Sequence, residues 1–258
     1  MAAGPDLTLL ICRLTLRASR PLFFEPPAAN FFRGALGMRL PEEIFRPTAA
    51  AGPSGLHDRP RPFVLRCAHL DASRLSPGEP FEIVLHLFHP DPSPFQSALA
   101  RLNFAALENW RQQQQTLSLA PPSGAEISAL RVEFLTPTEL KPPVPRGELP
   151  SFPLVLARLR DRISALRAFH GPGPLDVDFR ALAERSRLVQ TSGGQIAHTS
   201  AARTSRRTGQ THPLGGFTGH VDYSGPLAEF LPWLEAGFYT GVGRQTVWGK
   251  GVVRPVIL

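Results

Sequence analysis

The sequence has few of the residues that build disulfide-bonded or metal-bound frameworks. It contains only two cysteines, Cys12 and Cys67, and their wide separation fits neither a zinc motif nor a disulfide framework. Both cysteines lie within apolar runs, so we expect buried thiols in a reducing compartment. His86 and His89 would point to opposite faces of a predicted strand, and no carboxylate cluster occurs at ligand spacing. The sequence therefore predicts no metal ion and no other cofactor.

Long apolar runs are missing as well. No stretch approaches the roughly 20 residues that a helix needs to cross a bilayer, and the amino terminus lacks a basic segment followed by a hydrophobic core. We therefore expect a cytoplasmic protein with no membrane partner. The charge balance is basic, because 28 Lys and Arg residues against 21 Asp and Glu residues give a net charge of +7. A sequence pI near 10.6 suits a polyanionic partner.

The first half of the chain has the order of elements found in a ferredoxin-like unit. That order is strand, helix, two strands, helix and a closing strand. Apolar periodicity places these elements at residues 7–17 (strand), 28–40 (helix), 63–68 and 81–88 (strands) and 96–115 (second helix).

The same order starts again after a predicted hinge at residues 121–124. The sequence therefore predicts an α+β protein with two tandem ferredoxin-like (RRM-like, βαββαβ) domains, residues 1–120 and 125–258, and a C-terminal glycine-rich loop. In the second domain we expect a strand at 127–135, a helix at 154–169, hairpin strands at 188–197 and 214–223, and a short helix over 227–234.

The stretch from Gly215 to Gly251 contains nine of the 22 glycines. Pro232 predicts a kink or a short first turn in its helix, and after Gly237 we expect no helix. The glycines permit two interpretations: backbone amides that approach a ligand closely, or a glycine-rich hairpin that only packs against a sheet edge. A P-loop is disfavoured because the GxxxxGK[ST] spacing is missing and a strand follows the loop where a helix is required.

An ordered pattern in this stretch resembles the carboxy-terminal end of the CRISPR-associated endoribonucleases that process repeat RNA, which belong to the repeat-associated mysterious protein superfamily. A second match is the segment R-G-A-L-G at residues 33–37, which resembles the family's first helix, and residues 78–88 and 156–163 are also similar. The matching residues of the carboxy-terminal pattern are Gly216, Gly219, Val221, Tyr223, Gly237, Gly241, Val242, Gly243, Arg244, Thr246, Trp248, Gly249 and Gly251.

The resemblance implies cleavage of pre-crRNA without a metal, by attack of a ribose 2′-hydroxyl on the adjacent phosphate to give a 2′,3′-cyclic phosphate. Such a reaction needs a base, an acid and a cation, which His, Tyr, Lys and Arg can supply. The family's acting histidine lies in or just after the first helix, and His57 has this position here. A plain exposed loop histidine is the alternative interpretation of His57, in which case Arg33 and Arg39 would orient and stabilise the phosphate.

RNA binding is predicted at two places in the second domain. Arg203, Arg206 and Arg207 form the densest basic patch of the chain at the tip of the predicted hairpin, where arginines can reach phosphates on both sides of an RNA groove. A solvated loop with no ligand is the alternative. The second place is the glycine-rich loop, with Gly241, Gly243, Arg244 and Lys250.

Two functions remain open at this point, together with a third hypothesis of a basic α+β protein with an unrelated ligand. The first is an endoribonuclease that binds the hairpin stem of CRISPR repeat RNA, cleaves it and stays on the product as a subunit of an effector complex, with no direct DNA contact. The second is a catalytically inactive crRNA-binding subunit of such a complex. A single-turnover cleavage assay separates these two functions.

Overall fold

The first sheet is built on β1 (Asp6–Ala18), in which buried and exposed side chains alternate. The computed structural model describes residues 6–46, 59–199, 202–204, 211–213 and 215–258. β1 pairs antiparallel with two strands, β5 (Pro80–Leu87) and β6 (Ala105–Ser118), and β3 (Phe63–Arg66) pairs with β5. The resulting strand order is β3-β5-β1-β6.

Helices cover one face of this sheet. α1 (Ala28–Gly37) and α3 (Ser93–Ala100) bury Phe32, Leu36, Phe95 and Leu99 against it. The remaining elements are minor: α2 (Glu42–Phe45) and a two-stranded ribbon of β2 (Leu22–Phe23) and β4 (Arg74–Leu75).

The second half repeats the same topology. Its sheet has the order β12-β7-β11-β8, so in both sheets the first and third strands are central and the second and fourth lie at the edges. This arrangement confirms the predicted tandem ferredoxin-like fold. The elements are β7 (Ala129–Thr138), α4 (Phe152–His170), α5 (Phe179–Ser186), β8 (Gln190–Thr199), β9 (Ala202–Thr204), β10 (Thr211–Pro213), β11 (Gly216–Ser224), α6 (Leu231–Thr240) and β12 (Val253–Ile257).

The prediction of a helix over residues 96–115 is wrong. α3 ends at Ala100, and the glutamine run lies in β6, which pairs with β1 from Asp6 opposite Ser118 to Ala18 opposite Ala105. Glutamine favours helices, but intrinsic propensity is weak compared with the ladder and packing energy of a strand that closes a sheet.

The expectation of no helix beyond Gly237 is also wrong, because α6 continues to Thr240. A Cβ atom at Gly237 would lie 2.7 Å from side-chain carbons of both Leu159 and Val253, so glycine allows close packing of α6 on α4 and β12. The expected short first turn before Pro232 is confirmed, since a 3-10 turn at Ala228–Phe230 precedes the helix.

Two hydrophobic cores form, one per sheet, and each includes residues from the other half. Leu7 and Leu9 of β1 belong to the second core, whereas Val247 and Trp248 belong to the first. Both cysteines are buried free thiols, as predicted, and burial raises their pKa values to about 12. No helix among the described residues has the length and apolarity of a membrane-crossing segment.

Candidate nucleic-acid interface

The glycine-rich loop, residues 241–252, wraps over the end of β7. Its amides donate to protein acceptors: Val242 to the carbonyl of Gly251 (2.8 Å), Arg244 to that of Glu139 (2.9 Å) and Gly251 to that of Pro137 (3.1 Å). These bonds fix the loop on its own sheet. They also occupy three of the N–H groups that a bound phosphate would otherwise use.

The loop glycines adopt backbone conformations that other residues disfavour. Gly241 and Gly243 have φ values of 71° and 80°. A side chain at Gly243 would collide with the carbonyl oxygen of Glu139, and one at Gly241 would lie 2.8 Å from the Thr246 methyl group. Packing of the loop therefore accounts for both glycines, and the phosphate-binding role predicted for them remains a prediction.

Lys250 and Arg244 share one carboxylate but differ in exposure. The Lys250 side chain is only 2% exposed, and its Nζ donates to Glu139 Oε2 (3.1 Å), the Gly215 carbonyl (2.7 Å) and Gln245 Oε1 (2.8 Å). Burial lowers the pKa of Lys250, an effect that the bond to Glu139 opposes. Arg244 is 62% exposed and pairs with Glu139 at 2.8 Å, so it is the loop cation that a polyanion can reach.

The loop also contacts the first half of the chain. Its 3-10 turn, Thr246–Trp248, inserts Val247 and Trp248 into the first core. The Arg33 guanidinium of α1 lies 4.7 Å from the centroid of the Trp248 ring and 5.2 Å from that of Phe45, which are cation–π distances. The structure thus brings predicted residue Arg33 to the glycine-rich loop, although the two are more than 200 positions apart.

Arg39 has a different environment. Its Nε donates to the carbonyl of Arg101 at 2.9 Å and its Nη1 to that of Ala35 at 3.1 Å, so it ties the carboxyl ends of α1 and α3 together. A cation at these helix ends interacts favourably with exposed carbonyls. The described contacts of Arg39 are structural, and the phosphate-stabilising role predicted for it remains a prediction.

Several predicted residues cannot be placed. His57, Arg206 and Arg207 lie outside the described residues, and of Arg203 only the backbone is described, in β9, where it pairs with His212. The chain on either side of the His57 segment is fixed by contacts. Arg61 Nε donates to the carbonyl of Phe45 at 2.5 Å, and the Phe45 ring lies 5.2 Å from the Arg33 guanidinium, so Phe45 and Arg61 lie beside the Arg33 stack.

The contact of α6 with the first sheet was not predicted from the sequence. Arg66 Nη2 donates to the Phe238 carbonyl at 2.5 Å, and His86 Nδ1 contacts that of Tyr239 at 3.1 Å. Arg162 of α4, in the second half, also donates from Nε to the Thr240 carbonyl at 3.4 Å. These three groups satisfy carbonyls at the end of the helix. No sequence signal identifies them, because the carbonyls that they contact are distant along the chain.

Burial controls the ionisation of these groups. It lowers the pKa of Arg66 to about 9 and that of Arg162 to about 10, with a neighbouring arginine adding to each shift. The pKa of His86 falls to about 3, mainly through burial and then through the Arg66 charge, so His86 is neutral near pH 7. Within the ranges that the structure describes, no three His, Cys, Asp or Glu side chains are grouped to hold a metal ion.

Two four-stranded sheets of the same order, with a glycine-rich loop of the second docked on the first helix, define a tandem ferredoxin-like protein. Residues 132–253 match the family model of the CRISPR-associated endoribonuclease Cas6. This match confirms the resemblance to the repeat-RNA endoribonucleases over the second half of the chain. A search of curated proteins gave no match.

Solved structures share the fold over nearly the whole chain. The product complex of Thermus thermophilus Cas6 (TTHB231) has a TM-score of 0.59 at 19% identity, over 96% of this chain and 100% of that one. The product complex of Cas6 (TTHA0078) has a TM-score of 0.59 at 20% identity, and the match covers 96% of this chain and 99% of that one. A partial Cas6-RT-Cas1–Cas2 complex has a TM-score of 0.65 at 13% identity, and the match covers all of this chain and 47% of that one.

Proposed function

We propose that the protein binds the hairpin of CRISPR repeat RNA and cleaves it as a metal-independent endoribonuclease. The observation that carries this proposal is the contact between the glycine-rich loop and α1. The family pattern falls on the loop, and the Arg33–Trp248 stack joins it to the helix where the resemblance expects catalytic residues. RNA on this surface would contact both halves of the chain at once.

The chemistry follows from the residue types. The ribose 2′-oxygen attacks the adjacent phosphorus and gives its proton to a base, and the bond to the 5′-oxygen breaks as an acid protonates that oxygen. The products are a 2′,3′-cyclic phosphate and a 5′-hydroxyl. We assign the proton transfers to His57 and stabilisation of the phosphate charge to Arg33, with Arg39 as the second candidate.

RNA would be held chiefly by exposed cations. Arg244 extends from the loop, and Arg203, Arg206 and Arg207 belong to the sequence that connects β8 to β11. Lys250 is buried, so it would act by holding Glu139 and the loop backbone in place. Gly241 and Gly243 would let this backbone approach a phosphate in addition to packing on β7.

The activity is tested by incubating the protein with its own repeat transcript in EDTA. A defined cut that leaves a 2′,3′-cyclic phosphate, with no cut by the His57→Ala variant, is the expected result. A cut that requires added Mg²⁺ would contradict the metal-independent mechanism.

The hairpin is tested by changing Arg203, Arg206 and Arg207 together to Ala. Binding of the repeat stem should weaken, and its salt dependence should flatten by roughly one slope unit per lost phosphate contact. An unchanged salt slope would mean that these arginines do not touch the RNA.

A second candidate is a crRNA-binding subunit without catalytic activity, which associates with other CRISPR effector subunits and makes no direct contact with DNA. It is favoured by the scarcity of candidates for the base, because His57 is the only histidine in the first 68 residues. Tight binding of the repeat with no cleavage in a single-turnover assay would select this candidate. Under either function the RNA should co-elute with the protein on size exclusion, since both require the RNA to stay bound.

A further inference from the structure

The open face of the first sheet has an unusual row of arginines. Strand register aligns Arg66 of β3, Val84 of β5, Arg13 of β1 and Arg111 of β6 side by side across all four strands. Neighbours of Arg13 along β1, such as Cys12 and Leu14, are buried in the first core, so these arginines lie on the face opposite the helices α1 and α3. We call Arg66, Arg13 and Arg111 the cationic row.

Arg13 and Arg111 are exposed and sit directly opposite each other in the antiparallel ladder. Neither guanidinium group makes a hydrogen bond or an ion pair with another described residue. Like charges at such positions destabilise a sheet, so this pair works against folding stability. Arg66 differs, because its guanidinium turns towards α6 and bonds the Phe238 carbonyl.

Carboxylates on this face do not neutralise the pair. Glu108 is bound to Arg17, at 2.5 Å to Nε and 3.1 Å to Nη2, further along the strands. Glu82 stands opposite Thr15, in a different row, and it makes no ion pair within the described part of the chain. The two exposed guanidinium groups therefore remain available to an anion in solution.

An exposed aromatic ring borders the same face. Phe238 of α6 is 37% exposed, and its ring centroid lies 6.2 Å from that of His86. His86 occupies the row next to Arg13, opposite Ile11. Because His86 is neutral near pH 7, its imidazole adds no further positive charge beside Phe238 and the arginines.

We propose that this face binds single-stranded RNA that continues from the hairpin, with Arg13 and Arg111 on neighbouring phosphates and Phe238 stacked on a base. Cations on a sheet combined with an exposed aromatic ring suit an unpaired strand, because only an unpaired base offers its face for stacking. Adjacent strands are roughly 5 Å apart, which places the two guanidinium groups close enough to follow one backbone. This inference rests on the proposed function and extends it to a second RNA-binding surface.

The test compares two RNAs and two charge-matched variants. One RNA is the repeat stem-loop alone, and the other carries a single-stranded extension of about eight uridines at either end in turn. The variant Arg13→Gln/Arg111→Gln removes the exposed pair. The control Arg180→Gln/Arg254→Gln removes two exposed arginines that are paired with Glu184 and Glu133 elsewhere, so the net charge changes equally.

We expect Arg13→Gln/Arg111→Gln to weaken binding of one extended RNA by about tenfold near 0.1 M salt and to reduce the salt slope by roughly 0.7 per lost contact. Affinity for the stem-loop alone should not change, and the control should resemble the wild type on both RNAs. Phe238→Ala should reduce affinity for the same extended RNA by about tenfold, whereas Phe238→Trp should retain it. Thermal melting establishes that each variant is folded.

Two outcomes would overturn the inference: equal affinity of variant and wild type for both extended RNAs, or an equal loss of affinity on the stem-loop and the extended RNA. Failure of the proposed function looks different. In that case the wild-type protein itself would neither bind nor cut the stem-loop, whatever happens at the cationic row.

Discussion

The two sheets have the same topology but treat the charges on their open faces differently. On the second sheet, Arg131 stands opposite Asp222 and bonds it through two nitrogens, at 2.7 and 2.9 Å, and Arg254 pairs with Glu133 at 2.7 Å. On the first sheet, Arg13 and Arg111 face each other without a carboxylate. Both sheets have the same topology, so topology does not account for this difference. Ion pairs neutralise the arginines on the open face of the second sheet, whereas Arg13 and Arg111 on the first remain accessible to an anion.

The two cations of the glycine-rich loop also differ, because Lys250 is buried and Arg244 is exposed. The largest change in stability is expected at Lys250. Lys250→Met removes a buried ammonium group and leaves Glu139 with a single partner, so the free energy of unfolding should fall by about 3 kcal/mol. Urea unfolding measures this change. Arg244→Met, which removes the exposed partner of the same carboxylate, should cost less than about 1 kcal/mol. Equal effects of the two variants would remove the distinction between structural and exposed cations in the loop.

Gly243→Ala should give the next largest effect. Its φ of 80° and the close carbonyl of Glu139 predict a loss of about 2 kcal/mol in stability. Gly34→Ala is the matched control, because Gly34 lies within α1 with open space around it and should gain about 0.5 kcal/mol.

Thermal melting and repeat binding should be measured on the same Gly243→Ala preparation. A folded protein with wild-type RNA affinity would end the phosphate-binding interpretation of this glycine and leave the loop a packing element. A folded protein with a selective loss of affinity would support that interpretation.

A smaller, pH-dependent effect should mark the paired face of the second sheet. The bond from Arg131 lowers the pKa of Asp222 in the folded protein below its ordinary value of 3.8. The pair therefore contributes stability that is fully present above pH 4 and is lost as the pH falls through the lower, folded-state pKa. Partial exposure limits the contribution to about 1 kcal/mol or less.

Urea unfolding at neutral pH and near pH 3, with Asp222→Asn as the control, measures this contribution. The wild type should lose more stability than Asp222→Asn between the two pH values. An identical loss in both proteins would show that the pair does not stabilise the second sheet.

The smallest change in stability should come from introducing a cross-strand ion pair on the open face of the first sheet, like the Arg131–Asp222 pair of the second. Arg111→Glu places a carboxylate opposite Arg13 and should raise stability by a few tenths of a kcal/mol, as for other opposite-charge cross-strand pairs. Affinity for the extended RNA should fall in the same variant. A gain in stability without a loss of RNA affinity would break the link between the unpaired arginines and RNA.

Most of the fold could be predicted from periodicity, and the errors have physical causes. Glutamine and the apolar spacing predict a helix over residues 96–115, whereas pairing with β1 decides the conformation of most of this segment. The end of α6 was missed because Gly237 looks like a terminator, although it serves as a contact point for Leu159 and Val253.

The candidate interface was predictable in part. The motif led to the glycine-rich loop and Arg33, and the structure places them together. The burial of Lys250 was not predictable, because its partner Glu139 lies 111 positions away in the sequence. The cationic row depends on the register of four strands, which single-strand patterns do not specify.

Insertion of Trp248 into the first core has a consequence for synthesis on the ribosome. A nascent first half emerges with Ala29 and Leu65 uncovered, because the turn that packs on them, ending at Gly249, lies more than 180 positions after Leu65 in the sequence. Contacts of such long sequence separation form slowly and leave apolar surface open to aggregation in the meantime. We therefore expect the amino-terminal half to depend on chaperones during translation, and the Arg33–Trp248 stack to form only after the carboxy-terminal segment leaves the exit tunnel.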